Sequence, residues 1–317
     1  KQKTAYDVGT GDWSSDVCSS DLITGLNTLK KKGKKMQFKT LLVLTGISLT
    51  GIVQAQYNSE NHVVTLSKYH LKPLSEVEGG SAEERKEVLE ENAKKMNALK
   101  TKLVSSTVLG HFWTGKTGEV LVVNEWASLD DADATILSNS DLRDKAWRKE
   151  EDRKKHVEKF GKYWVGKHTD VGIYELDMKK LKRPSRQYKD DTFVSMTKYY
   201  LAPLSNVEEG SAEERKEILQ TWFDNVIKKN EKVLSHMELG HYWSGSAGGP
   251  DGWPVIMVNE YATMEDALDE DVSDLVETAW PNEEERKAFR KKFRAYWSNG
   301  KHEDLGLHNN WVDLRKN

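Results

Sequence analysis

Three polar positions recur at matching places in two stretches of the chain, and their side chains can transfer protons or bind metals. The pairs are His111 and His241, Glu125 and Glu260, and His168 and His302. A carboxylate beside an imidazole raises its basicity and can make it a general base. Two imidazoles with one carboxylate also suit a divalent metal. A strand histidine bonded to a carboxylate is equally a common structural feature, so several interpretations stay open.

Strand alternation predicts which of these side chains share a face. His111 shares its face with Leu109 and Trp113, and Glu125 shares its face with Leu121 and Val123. The two segments read as the arms of one hairpin, so the histidine and the glutamate could approach each other. A carboxylate on an apolar face requires a partner. We therefore predict His111 and Glu125, with His241 and Glu260, as the catalytic residues of an enzyme, if the protein is one.

Six further residues are candidates for contacting a ligand. They are Trp113, Asn124 and His168 in the first stretch, and Trp243, Asn259 and His302 in the second. Each has a structural alternative: the tryptophans as core, the asparagines as turn or bulge contacts, and the histidines as caps of a helix C-terminus in a Gly-flanked turn. A haem would need an axial ligand, and the helical His156 corresponds to Phe289 in the second stretch. No cofactor or metal is therefore predicted.

The two stretches are copies of one pattern. The residues of Ser81–Glu87 return unchanged at Ser211–Glu217, an offset of 130 residues that matches a small domain. The offset increases by five after the Gly- and Pro-containing loop 246–253, as expected where turns drift. The sequence thus predicts a tandem repeat.

Within one copy the patterns predict the order β-α-β-β-α-β. The expected strands are 63–71, 104–113, 119–126 and 171–176, and the expected helices are an 81-capped helix, a short helix 130–136 and a long one over 144–164. Ser81 and Glu84 fit a reciprocal capping box. The class is α+β, with two tandem ferredoxin-like repeats packed sheet to sheet as a pseudo-two-fold pair and the strand order 4-1-3-2 in each.

The N-terminal residues are not expected to belong to the fold. Residues 1–22 resemble a translated sequencing adapter, and residues 23–35 fit upstream DNA read in frame. Residues 36–55 form a predicted signal peptide, with a basic start, an apolar stretch and cleavage after Ala55. The first repeat is then 56–178, a basic, solvated linker covers 179–191, and the second repeat is 192–317.

Charge and cysteine content exclude several kinds of chemistry. The chain has 48 basic and 51 acidic residues, of which residues 1–55 hold eight and four, so the remainder carries a net charge of −7. That balance gives no reason to expect nucleic acid. The single cysteine, Cys18, lies in the adapter-like segment, which leaves no thiol for disulfides, thiolate catalysis or Cys-ligated metals in the expected mature chain.

Each copy resembles the dimeric α/β-barrel superfamily, which includes antibiotic-biosynthesis-type monooxygenases and NIPSNAP-like proteins. The resemblance rests on the topology and on the third strand running into a short capped helix, Asn124–Ala132. It implies a fold and leaves the activity open, because the superfamily holds cofactor-free oxygenases, haem enzymes, isomerases and proteins without known reactions.

We therefore expect an exported bacterial protein, periplasmic or secreted, that binds a small, partly apolar ligand in pockets between sheet and helices. One alternative is a cofactor-independent monooxygenase or isomerase that uses the His/Glu pair. Another is an interaction module without a pocket. The expected partners are a small molecule and the intramolecular sibling copy, with no nucleic acid and no membrane span in the mature chain.

Overall fold

Eight strands in antiparallel pairs carry the fold. The computed structural model describes residues 60–112, 118–242, 252–269 and 271–316. The strands are β1 (His62–Leu71), β2 (Leu103–His111), β3 (Glu119–Trp126), β4 (Trp164–Leu176), β5 (Thr192–Leu201), β6 (Val233–His241), β7 (Trp253–Tyr261) and β8 (Trp297–Asn310). The expectations for residues 1–59 and for Trp113 and Trp243 lie outside the described residues.

The order of the strands closes them into a barrel, β1-β3-β2-β8-β5-β7-β6-β4. The first half (β1–β4) therefore has the order β4-β1-β3-β2, and the second half (β5–β8) has β8-β5-β7-β6. The predicted order 4-1-3-2 is confirmed in both. Two seams, β2 with β8 and β4 with β6, join the halves through three residue pairs each. Each of the eight strands in the described residues therefore has a neighbour on both sides.

Apolar side chains from both halves fill the barrel interior. The buried core consists of Val64, Leu66, Leu109, Val123, Leu176, Val194, Met196, Leu239, Ile256 and Val258. These residues follow the alternation of their strands, so one face of every sheet is removed from water. At about 25 cal/mol per Å² of apolar area, burial of this surface is a principal stabilising contribution. Each half thus supplies the cover that the other half's sheet needs.

The helices connect the strands and lie outside the barrel interior. They are α1 (Ala82–Leu99), α2 (Leu129–Leu137), α3 (Asn139–Ala146), α4 (Glu150–Tyr163), α5 (Ala212–Trp222), α6 (Met264–Leu268), α7 (Ser273–Ala279) and α8 (Glu283–Ala295). One π-helical turn, Phe223–Ile227, continues α5. In the described segments, no helix combines the length and apolar character needed to cross a membrane. The single long helix predicted over 144–164 is wrong: it is broken after α3 at Trp147, a buried residue whose backbone is not helical.

The predicted cap of α1 is confirmed in part. Ser81 Oγ accepts a hydrogen bond from the Glu84 amide at 3.0 Å. The reciprocal bond of a capping box is replaced, because the Ser81 amide donates to the hydroxyl of Tyr163 at 3.2 Å. That hydroxyl in turn donates to the Glu84 carboxylate. Tyr163, the last residue of α4, therefore connects the end of α4 to the start of α1.

Strand β4 begins seven residues earlier than predicted. Trp164 pairs with Leu71 and His168 pairs with Tyr69, so the strand runs along nearly all of β1. A register shift between Leu66 and Ser67 accommodates the strand near Gly172. The structural alternative in which His168 caps a helix C-terminus in a turn is thus wrong, because its backbone is part of the ladder. His302 lies likewise in β8, opposite Tyr199.

Each half sends a short segment across the other. The first strap, residues 177–183, follows β4 and pairs Lys182 with His236 of β6; the second strap, residues 311–316, follows β8 and pairs Lys316 with Ser106 of β2. Lys180 is 6% exposed and its ammonium bonds Glu238. The predicted solvated character of residues 179–182 is therefore wrong, since this segment packs against the second half. All described residues belong to one compact unit.

The second strap restricts the volume at Gly110. A Cβ atom added there would lie 2.5 Å from the Trp311 ring, whereas a Cβ added at the equivalent Gly240 would lie 3.8 Å from its nearest neighbour. We expect Gly110→Ala to lower the free energy of unfolding by about 1–3 kcal/mol through overpacking. Gly240→Ala, the matched control, should change it by less than about 0.5 kcal/mol. Unfolding in guanidinium chloride measures the free energy of unfolding of both variants. Equal losses for Gly110→Ala and Gly240→Ala would contradict the packing of Trp311 against Gly110.

Candidate functional site

A cavity of about 390 Å³ lies in the first half, between the sheet and its helices. Its floor is the outward face of β2 and β3, and its walls come from α1, α3, α4 and the start of β4. The second strap closes one side through Trp311 and Leu314. Two of the predicted ligand-contacting residues, Asn124 and His168, line it. The size falls within the range of small-molecule sites.

Side-chain size explains why the cavity is in the first half. Ser106 and Ala93 line it, and both are small. At the equivalent positions of the second half stand His236 and Phe223, which are 2% and 3% exposed, with ring centroids 5.8 Å apart. In the second half the rings of Phe223 and His236 therefore fill this space. In the first half the smaller side chains of Ala93 and Ser106 leave it open.

One wall of the cavity is aromatic. The Trp164 ring lies 5.6 Å from Tyr69 in an edge contact and 5.4 Å from Phe160. The imidazole of His168 stacks on Tyr69 with centroids 5.4 Å apart. Such surfaces pack well against flat, partly apolar molecules. The rings contact one another, so the wall is preformed.

Polar groups are set around the aromatic wall. Ser106 Oγ donates to Asn124 Oδ1 at 2.8 Å on adjacent strands. The Trp164 indole nitrogen is buried and has no hydrogen-bond partner in the described residues, as is true of Trp297 in the second half. Lys100, Arg143 and Lys167 also line the cavity, and no acidic residue lines it within the part of the chain that the structure describes. Burial lowers the pKa of the Lys100 ammonium, and nearby Lys316 lowers it further.

The catalytic pair predicted in each half is not formed. The strand register places Ser105 opposite Glu125 and Gly110 opposite Val120, so His111 lies roughly 20 Å from Glu125 along the hairpin. Both side chains share the interior face, as predicted, but the apolar core separates them. The same register places His241 and Glu260 at opposite ends of β6 and β7. The register, which the sequence left open, decides this outcome.

Glu125 instead has three partners at one end of the barrel. Its carboxylate, 1% exposed, accepts bonds from Arg183 Nη1 at 2.7 Å and Ser105 Oγ at 2.7 Å, and lies 2.5 Å from His62 Nδ1. Burial raises the pKa of this carboxyl, but the bonds from Arg183, Ser105 and His62 outweigh it and leave the pKa below its ordinary value. The carboxylate is thus held ionised.

Glu260 has a matching set of partners. Thr192 Oγ1 donates at 2.6 Å, Ser235 Oγ at 2.8 Å and Asn310 Nδ2 at 3.0 Å, and Arg315 of the second strap completes the set. Ser235 and Glu260 line a cleft of about 510 Å³ together with Ser105, which places both carboxylates at the same barrel end. These contacts hold the straps to the barrel.

The other predicted residues are scattered. Asn259 bonds His236 at 2.6 Å beneath the helices of the second half, and His302 lies beside Tyr199 at 6.0 Å. His111, Glu125 and His168 lie on different faces or ends of the sheet, so they do not form a metal set. Across the described segments, no group of three or more His, Cys, Asp or Glu could hold a metal ion. His156 is stacked on Trp147 at 3.8 Å and bonds Asn92 at 3.2 Å, and it does not line the cavity.

Comparisons with known proteins give matches among solved structures alone. No family model and no curated protein matches the chain. A proposed monooxygenase from Lactobacillus acidophilus NCFM is 10% identical, with a TM-score of 0.43 over 79% of this chain and 93% of the other. An anthrone oxidase-like protein is 15% identical, with a TM-score of 0.38 over 78% and 91%. A mutant chlorite dismutase from Candidatus Nitrospira defluvii is 12% identical, with a TM-score of 0.42 over 80% and 92%. Similarities this low do not establish a family or an activity for this chain.

The two carboxylate clusters give a prediction about stability. Arg315 is 7% exposed, whereas Arg183 is 43% exposed and can be rehydrated when its partner is lost. We expect Glu260→Ala to lower the free energy of unfolding by about 3–5 kcal/mol, because it leaves a buried cation unpaired. Glu125→Ala should lower it by about 1–3 kcal/mol.

Urea unfolding measures both costs. Glu150→Ala, which removes an exposed pair with Lys154, is the control and should cost less than about 0.5 kcal/mol. Because folding lowers the pKa of Glu125, the ionised carboxylate stabilises the fold at neutral pH. This stabilisation is lost as the pH falls through the folded-state pKa. An equal or larger cost for Glu125→Ala than for Glu260→Ala would contradict this account.

Proposed function

We propose that this protein binds a small, partly apolar molecule in the cavity of the first half. The observation that carries the proposal is an open volume of about 390 Å³ with an aromatic wall and a few polar groups, among them Ser106 and Asn124. Sites for small molecules are mostly apolar clefts with a few placed polar groups. The contrast with the second half, where Phe223 and His236 fill the equivalent space, supports a site specific to the first half.

The alternative of a cofactor-independent monooxygenase or isomerase receives less support. Its predicted base required His111 beside Glu125, and the register separates them. The alternative of an interaction module without a pocket fits the filled barrel interior, but it gives no reason for the cavity outside the barrel. Binding is therefore the function that we favour.

We also propose that the two halves arose by tandem duplication, as copies 56–178 and 192–317, and that the protein is exported to the periplasm or secreted. The repeated Ser81–Glu87 sequence and the apolar stretch before Ala55 support these proposals. N-terminal sequencing of the protein recovered from its bacterial host tests export. A chain that begins at Gln56 supports it, and one that retains residues 36–55 contradicts it.

Thermal-shift screening against aromatic and other hydrophobic metabolites tests the binding proposal. A true ligand at about 100 times its Kd stabilises the protein by about 2.7 kcal/mol, which corresponds to a rise in Tm of roughly 5–10 °C. The double variant Ala93→Phe/Ser106→His, which copies the second half, should fill the cavity, fold and lose this response.

Ala98→Phe is the control for added bulk, since Ala98 is exposed on the same helix α1, and it should keep the response. The proposal is wrong if no compound class stabilises the protein. It is equally wrong if the filled variant responds as the unmodified protein does.

A further inference from the structure

The charge of the cavity is one-sided. Three cationic side chains line it, those of Lys100, Arg143 and Lys167, while no aspartate or glutamate of the described segments does. The expected mature chain is acidic overall, so a cavity with basic lining alone does not reflect average composition. A ligand that enters it meets unbalanced positive charge.

Lys100 is the most unusual of the three. It ends α1, and its carbonyl accepts a bond from the ammonium of Lys316 in the second strap. Its own ammonium has no hydrogen-bond or ion-pair partner among the residues that the structure describes. Two ammonium groups thus lie near the end of one helix, and burial lowers the pKa of both. Lys100 itself is half-buried, so its ammonium is free to pair with an anion that enters the cavity.

Two buried cations elsewhere in the described chain are paired with carboxylates. Buried Lys180 bonds Glu238, and Arg315 bonds Glu260. The position equivalent to Lys100 in the second half is Asn230, which is neutral and whose carbonyl accepts a bond from Lys182 at 2.7 Å. The unpaired cation therefore occurs in the half with the cavity, and the half with a filled space has none at that position.

The rest of the lining indicates the body of the ligand. Tyr69, Phe160 and Trp164 provide flat apolar surfaces, and the indole N–H of Trp164 is a buried donor without a partner in the described residues. About 150 Å³ is enough to hold benzene, so a cavity of about 390 Å³ admits one or two rings. Aromatic stacking and a charge-assisted bond would act on opposite ends of the same small molecule.

Resting on the binding function proposed above, we propose that the ligand is an aromatic anion of one or two rings, a carboxylate or phenolate. Its charged oxygen pairs with the Lys100 ammonium, and its rings lie against Tyr69, Phe160 and Trp164. Lys100 is then a specificity-determining residue that selects anions over neutral molecules of the same shape.

Calorimetric titration with 2-naphthoate and its neutral isostere 2-naphthamide tests the proposal. A charge-assisted bond of ordinary strength makes naphthoate bind about 10- to 100-fold more tightly than naphthamide. Lys100→Met should reduce naphthoate affinity by that factor, leave naphthamide affinity unchanged and change Tm little, because the ammonium makes no hydrogen bond or ion pair with the described residues. Lys100→Arg should keep the preference. Lys94→Met, at an exposed position of the same helix, should match the unmodified protein.

Each other outcome has a distinct meaning. Equal affinities of the two probes for the unmodified protein would overturn the anion proposal while the cavity-binding function stands, and this comparison needs no variant to fold. A naphthoate preference that survives in folded Lys100→Met would also overturn it. If neither probe binds, the anion proposal fails; the proposed function fails with it only if the wider screen of hydrophobic compounds also finds no ligand.

Discussion

The structure depends on mutual coverage of two apolar sheet faces. Four strands with helices on one side leave the other face open to water, and here Val64 and Leu109 of one half meet Val194 and Leu239 of the other in a single core. Each seam between the halves has three residue pairs, against eight or nine between central strands such as β1 and β3. Burial of the interior, more than seam hydrogen bonding, therefore holds the halves together.

The straps follow from this closure and explain where a ligand site can form. Because β4 and β8 end beside the opposite half, the residues after them must cross that half. The first strap brings Lys180 to Glu238, and the second brings Trp311 over Gly110. The cavity wall that includes Trp311 and Leu314 is thus supplied by the end of the chain to a site built by its first half.

Much of the fold could be predicted from the sequence, since strand alternation and serine caps are local properties. The order of elements and the 4-1-3-2 sheets follow from such patterns. The start of β4 and the break at Trp147 could not be predicted, because tertiary pairing decides them. The predicted contact between His111 and Glu125 does not form. Alternation along a strand fixes the face on which a side chain lies, but it does not fix which residues of the two strands pair.

The cavity is marked by differences between the two halves, whereas the predicted catalytic residues are positions that the halves share. The shared residues Glu125 and Glu260 bind the straps, through Arg183 and Arg315 respectively. Ser106 in place of His236 and Lys100 in place of Asn230 mark the cavity and its charge. Without knowledge of which residues face each other, neither substitution could be distinguished from surface drift.

Native-state hydrogen exchange tests the central claim most directly, by comparing backbone amides at the seams with those between β1 and β3 and between β5 and β7. If shared burial holds the halves together, protected seam amides such as those of residues 109–111 and 174–176 exchange through the same global unfolding as the central strands. Seams that open at a much lower free energy, while both four-stranded sheets stay protected, would show that the halves are independently stable and contradict the account.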